Sequence, residues 1–246
     1  SANSANSANS ANSANSANSA NDTTLNAIIV KLALDNPSII YTKNYPYHPI
    51  THFHKLALAC RYFYSKKVCI VGGESSGKTT LVHKLANHYG ATLALEMGRL
   101  YADSNLGGTE VGLQYSDYAP IAISHAQAIT TACHNATAPI TLIDTDFVTT
   151  QAFCQTYEGR PHPFVTACIS EFTMDATIYL DNNVAWVADG LRRLGNARSQ
   201  FAITLLKLYA THNIALTIID DGDYHKRYLQ AVAIIDDFLA QALSKD

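Results

Sequence analysis

Val68-Cys69-Ile70-Val71-Gly72-Gly73-Glu74-Ser75-Ser76-Gly77-Lys78-Thr79-Thr80 is the stretch on which the fold turns. Its first four residues are a continuous apolar run, the pattern of a strand buried on both faces of a parallel sheet. The next eight satisfy G-x-x-x-x-G-K-[ST], and Thr79 opens a segment to Tyr89 with Leu81, Val82, Leu85 and Ala86 at helical spacing. Glycines let such a loop fold tightly enough for several N–H groups to point at phosphate oxygens. The following helix adds its positive end, Lys78 reaches the β and γ phosphates, and Thr79 supplies a hydroxyl to Mg²⁺. Strand, loop and helix in that order make ATP or GTP binding the expectation. Gly72, Gly73, Glu74, Ser75, Ser76, Gly77, Lys78, Thr79 and Thr80 form the expected phosphate cradle.

Outward from this loop, strands and helices alternate. Strands are expected at Val68–Val71, Thr92–Leu95, Ile140–Ile143, Ala176–Leu180 and Ala215–Ile219. Helices are expected at Thr51–Tyr64, Thr79–Tyr89, Ala119–His134, Thr149–Tyr157, Phe164–Phe172, Ser199–Thr211 and Tyr224–Leu243. This alternation predicts an α/β P-loop NTPase with a five-stranded parallel sheet, helices on both faces and right-handed crossovers.

Three regions are expected. Residues 1–22 are a Ser-Ala-Asn repeat closed by Asp22, with no apolar side chain larger than Ala. Such a tract cannot bury enough surface to offset ordering entropy and reads as disordered. Residues 23–65 carry a helix-like stretch (Leu25–Leu34) and are broken by Pro37, Pro46 and Pro49. Residues 66–246 make the phosphate-loop domain.

Composition excludes several classes. With 17 basic and 20 acidic residues and a net charge of −3, no basic stripe exists for nucleic acid. No apolar run approaches the roughly 18 residues of a membrane span, and the start has no signal-peptide pattern. Cys60, Cys69, Cys133, Cys154 and Cys168 are odd in number and contain no C-x-x-C pair. Free thiols in a cytoplasmic protein are expected. His48, His52 and His54 lack carboxylate or Cys partners and read as non-metal. Charged residues are only 15% of the chain, against an average of about 25%. A disproportionate share, Glu74, Lys78, Glu96, Arg99, Asp144, Asp146, Asp189 and Arg192, falls near strand ends and loops of one expected crevice.

Those strand ends carry the chemistry. Thr141-Leu142-Ile143-Asp144 places a carboxylate where it can hold Mg²⁺, the alternative being a cap for the next helix. Asp146 reads equally as site acid or helix cap. Glu96 closes the second strand on the same side as the phosphate loop, where an acid can accept the proton of an attacking hydroxyl. Arg99 beside it meets either phosphate or Glu96 itself. Asp189-Gly190-Leu191-Arg192-Arg193-Leu194-Gly195 suits an arginine-bearing lid, or else an exposed helix with solvated arginines. Trp186 reads as a packed side chain, and His125 as a packed or capping histidine.

Taken with Glu96-Met97-Gly98-Arg99, Gln114-Tyr115-Ser116-Asp117-Tyr118, Asp144-Thr145-Asp146-Phe147, Thr149-Thr150-Gln151-Ala152-Phe153-Cys154, Tyr157-Glu158-Gly159, His162-Pro163-Phe164 and Asp189-Gly190-Leu191-Arg192, the chain from Val68 resembles the ribosylnicotinamide kinase domain of NadR-type NAD-biosynthesis proteins. The resemblance implies transfer of the ATP γ-phosphate to the 5′-hydroxyl of nicotinamide riboside, with Mg²⁺. It implies charge neutralisation by Lys78 and Arg192, Mg²⁺ on Thr79 and Asp144, and Glu96 or Asp146 orienting the acceptor hydroxyl. Arg99, Tyr115, Asp117, Tyr118 and Gln151 join the acceptor site, and Tyr224 and Arg227 the adenine loop. The family's aromatic pair around the Glu is Leu95 and Met97 here, so stacking on a cationic ring falls to Tyr101, Tyr115 or Tyr118. Residues 23–65 are similar to the end of the family's nucleotidylyltransferase domain. The histidine motif of that activity and the DNA-binding domain of some members are not in the sequence, so adenylyltransferase activity is not expected of it. A kinase for another nucleoside, or a regulatory NTP-binding module without an acceptor, is the alternative expectation.

Overall fold

In the computed structural model, the described residues are 49–73, 75–107, 112–181 and 198–244. The Ser-Ala-Asn tract, most of the 23–65 segment with His48, and Glu74, Trp186, Asp189 and Arg192 lie outside them. The expected arginine lid falls there too.

Five parallel strands form one sheet in the order β2-β3-β1-β4-β5. They are β1 (Lys66–Gly72), β2 (Thr92–Ala94), β3 (Ile140–Asp144), β4 (Ala176–Leu180) and β5 (Thr217–Ile219). β1 lies between β3 and β4, with Ile70 opposite Asp144 on one side and Gly72 opposite Leu180 on the other. Its central position explains the unbroken apolar run.

Alternate residues of the central strands feed two cores. Val68, Ile70, Leu142, Ile178 and Leu180 face α2 (Lys78–Tyr89) and α8 (Tyr224–Ser244), packing with Leu81, Val82, Leu85, Ala231 and Ile235. Cys69, Val71, Ile143 and Tyr179 face the other layer. There they meet α4 (Tyr118–His134), α5 (Phe147–Glu158), α6 (Pro163–Glu171) and α7 (Arg198–Thr211) through Ile129, Phe147, Val165 and Phe201. Period-two alternation between two apolar layers is what a sheet covered on both faces requires.

Two elements depart from the sequence expectation. The single helix expected over Thr51–Tyr64 is a 3₁₀ turn (Phe53–Lys55) and α1 (Leu58–Tyr64), separated by extended backbone at Leu56. That break accompanies burial of both Phe53 and Leu56 beside Ala136, and Arg61 secures it by donating to the carbonyls of Leu56 and His54. A further helix, α3 (Met97–Asn105), follows β2 where none was expected.

All five cysteines are free and buried. Among the described residues no helix is long and apolar enough to cross a membrane.

Candidate active site

The order of the sheet reverses around β1. The chain leaves β1 for β2 on one flank, comes back into β3 beside β1, then crosses to β4 on the other flank. Parallel α/β sheets hold ligands at such a reversal, beyond the carboxyl ends of the strands. The phosphate loop at the end of β1 and Asp144 at the end of β3 meet there.

Two glycines give the loop its shape. Gly72 has φ 149°, and a Cβ on it would run into the Leu180 carbonyl, so no side chain fits. Gly77 caps α2 at φ 86°, and a Cβ on it would lie 2.5 Å from Cε1 of Tyr224. Lys78 is buried and folds back to donate from Nζ to the Gly73 carbonyl at 2.9 Å. The ammonium is thereby held over the curve of the loop. Ser76 Oγ is buried without a hydrogen-bond partner among the described residues. A cradle with a poised cation, a spare hydroxyl and a helix N-terminus suits a polyphosphate.

Thr79 Oγ1 donates to Asp144 Oδ2 at 2.7 Å. Hydroxyl and carboxylate together are the hard oxygen set that Mg²⁺ takes when most of its shell is water and phosphate. These residues therefore fit a nucleotide-borne Mg²⁺. Cys69 sits beneath them, and burial, with the Asp146 and Asp144 carboxylates, pushes its thiol well above the ordinary range. It is an inert packing thiol.

Asp146 is buried and caps α5. Its Oδ1 accepts from Thr149 N at 3.0 Å, Thr149 Oγ1 at 3.1 Å and Tyr209 OH at 2.8 Å. Burial raises its carboxyl above the usual range, and these donors oppose the shift. Thr145, just before it, holds φ 66°, a strained conformation for a β-branched residue. Thr145 N donates to the Ile70 carbonyl, tying the turn to β1.

Glu96, half-buried at the N-terminus of α3, opens on a narrow pocket. Tyr118, Ile121 and His125 from α4 form one wall, and Thr145, Thr149, Thr150, Phe153 and Tyr157 another. His125 is fully buried, and that burial pushes its imidazole down to about 4, with the Glu96 charge pulling the other way. Of the two expected roles, packed or capping, it takes the packed one, on the pocket wall. Its signal was the spacing of Tyr118, Ile121 and His125, which places all three on one helix face.

Other expected acceptor residues are not in the lining of this pocket. Tyr115 is pinned to the α5–α6 connection, its hydroxyl donating to the Pro161 carbonyl and its ring covered by Arg160 at 3.9 Å. The Asp117 carboxylate accepts from Gln114 N and Tyr101 OH. Gln151 is buried, donating to Thr166 Oγ1 and accepting from His162 N, which locks α5 to the start of α6. Arg99 stands in the first turn of α3.

Tyr224 is half exposed at the start of α8 with its ring against Gly77. Arg227, one turn on, is fully buried. Its guanidinium donates to the carbonyls of Ser76 at 2.9 Å, Asp181 at 2.6 Å, and Asp221. One side chain thus joins the phosphate loop, the end of β4 and the loop after β5.

Residues 67–227 match the family model AAA_28, described as an AAA domain, over more than half of the chain. The chain belongs to that family. The trifunctional NAD biosynthesis/regulator protein NadR of Escherichia coli (strain K12) is 46% identical over 196 residues, 79% of this chain and 48% of the relative. NadR of Salmonella typhimurium gives the same figures. The resemblance drawn from the motifs is borne out by this identity, although the chain spans about half the length of those relatives. Among solved structures, a NadR protein in complex with NR is similar at TM-score 0.68 and 25% identity, covering 78% of this chain and 56% of that one. A NadR protein in complex with NAD and AMP-PNP aligns at TM-score 0.67 and 23% identity, over 78% and 54%. The fold is that of an α/β P-loop NTPase.

Proposed function

We propose that this chain transfers the γ-phosphate of ATP to the 5′-hydroxyl of nicotinamide riboside, giving nicotinamide mononucleotide. The carrying observation is the position of Glu96, which opens a pocket at the carboxyl end of β2, lined also by Thr145 next to the Asp144 of the Thr79–Asp144 pair. The identity to NadR proteins, one of them solved with NR and another with AMP-PNP, supports the choice of acceptor and donor.

On this reading the loop from Gly72 to Thr80 binds the phosphates, and Lys78 leaves the Gly73 carbonyl to pair with the transferring group. Thr79 and Asp144 would hold Mg²⁺, which spreads the charge of the β and γ phosphates. Glu96 accepts the proton of the 5′-hydroxyl as its oxygen bonds to the γ phosphorus, and the bond to ADP breaks. Asp146, whose carboxylate already takes three donors, keeps α5 in place and leaves the proton to Glu96. Tyr224 offers a ring face beside Gly77 to the adenine. Arg227 shapes the loop through its bond to the Ser76 carbonyl.

The test is a panel of nicotinamide riboside and common deoxynucleosides with ATP and Mg²⁺, read as ADP and phosphorylated acceptor in equal amounts. Mononucleotide formed from nicotinamide riboside alone is expected. Phosphorylation of deoxynucleosides only overturns the acceptor, and ATP hydrolysis indifferent to every acceptor overturns the kinase.

A further inference from the structure

His125 is 1% exposed, lines the Glu96 pocket, and its Nε2 has no hydrogen-bond partner among the described residues. Packing alone does not call for an imidazole there. Its ring lies 5.2 Å from that of Phe147 among Ile121, Tyr118 and Phe153, surroundings that an apolar side chain would fill without stranding a polar nitrogen. A buried donor or acceptor left unmade costs free energy, and a ligand that supplies the missing partner recovers it on binding. We propose that His125 is a specificity-determining residue of the acceptor site, its Nε2 hydrogen-bonding a polar substituent on the edge of the acceptor's flat base. This rests on the reading of the Glu96 pocket as the acceptor site.

Two further features agree with it. Glu96 is the charged group that faces the imidazole, and burial outweighs its pull, so the ring is neutral at physiological pH. A neutral imidazole donates or accepts according to its tautomer, which matches a carboxamide carrying both N–H and C=O. An imidazolium in the same place would repel a cationic pyridinium at short range through a poorly screened interior. The pocket's lining is also largely apolar, with Leu113, Tyr118, Ile121, Phe153 and Tyr157 in it, which suits a flat base better than a sugar.

The experiment compares wild type, His125→Leu and His125→Gln on nicotinamide riboside and on the N-ribosylpyridinium that lacks the carboxamide. KM for each riboside, KM for ATP and thermal melting are read together. His125→Leu should raise KM for nicotinamide riboside by roughly tenfold or more, the loss typical of one buried hydrogen bond to a ligand. It should leave KM for the pyridinium riboside and for ATP unchanged and should not lower the melting temperature. His125→Gln, which keeps a donor and an acceptor, should recover most of the discrimination. The inference is overturned if His125→Leu leaves nicotinamide riboside unaffected, or weakens both ribosides alike while melting lower, as a structural histidine would. Failure of the underlying acceptor reading looks different, because wild type itself then phosphorylates neither riboside, and the inference falls with it.

Discussion

Arg227, on the first turn of α8, donates to the carbonyl of Ser76, 151 residues earlier in the chain, at 2.9 Å. The same guanidinium reaches the carbonyls of Asp181 and Asp221, so the phosphate loop, β4 and the β5–α8 loop share one clamp. Replacing it by Met strands three carbonyls around a buried site. Hydrogen bonds to charged groups contribute about 1.5–3 kcal/mol each, though not additively. A loss near 3 kcal/mol is therefore expected, or roughly 6–12 °C in melting temperature for a domain of this size. Arg227→Lys should recover only part of it, since an ammonium lacks the planar fork that spans three acceptors. A Met variant melting with wild type would show that the clamp carries no stability.

Thr79 and Asp144 form the second long-range pair, 65 residues apart and 2.7 Å in contact. If they hold Mg²⁺, Asp144→Asn should lower kcat by about 10²-fold or more, the range seen when one electrostatic stabiliser is lost. It should also shift the Mg²⁺ dependence of the rate to higher concentration, while Thr79→Ser stays close to wild type. Titrating Mg²⁺ at saturating ATP measures both. An unchanged Mg²⁺ midpoint in Asp144→Asn would remove the carboxylate from the metal site.

Much of this was legible from residues alone, and the exceptions share a cause. The strands were readable because β1, β3 and β4 are buried on both faces, which forces apolar runs such as Val68–Val71. The loop was readable because its backbone dictates glycine at Gly72, against the Leu180 carbonyl, and at Gly77, against the Tyr224 ring. By contrast, α3 buries only Ala102 and holds Gly98 in its first turn, so neither pattern nor propensity marks it. The clamp made by Arg227 was not readable because its acceptors, Ser76, Asp181 and Asp221, come from three separated loops. His125, Tyr115 and Gln151 were recognisable as polar residues on helices or turns. Which of them faces the crevice depends on helix rotation against the sheet, and local spacing does not encode that.

Acid stability offers a check on His125 that needs no substrate. Its folded value is lowered to about 4 from the ordinary 6.5, so between those values the unfolded chain binds the extra proton. Stability contributed by the neutral imidazole is complete above about pH 6.5 and is lost as pH falls toward 4. The shift corresponds to about 3 kcal/mol at most. Denaturant melts at pH 7 and pH 4.5 should show a smaller drop for His125→Leu than for wild type. Equal drops would mean that the imidazole titrates normally and is not held in the apolar wall.

Glu96 and Asp146 are the two candidate proton acceptors, and their surroundings differ. Glu96 is half-buried on the pocket, whereas Asp146 is enclosed and spends Oδ1 on Thr149 and Tyr209. Glu96→Gln should cut kcat by about 10²–10⁴-fold, the usual contribution of a positioned base, with little effect on KM for ATP. Asp146→Asn keeps an N-cap oxygen and removes a buried charge. Because the folded carboxyl titrates above 3.8, its stabilising contribution is greatest while protonated and is lost as pH rises through the folded value. Asp146→Asn should therefore be at least as stable as wild type at pH 7, with the difference shrinking toward pH 3. Asp146→Ala, which leaves Thr149 N and Tyr209 OH without their acceptor, should lose about 1–3 kcal/mol. If Asp146→Asn lost as much kcat as Glu96→Gln while folding normally, the proton would belong to Asp146 and the cap would be its secondary duty.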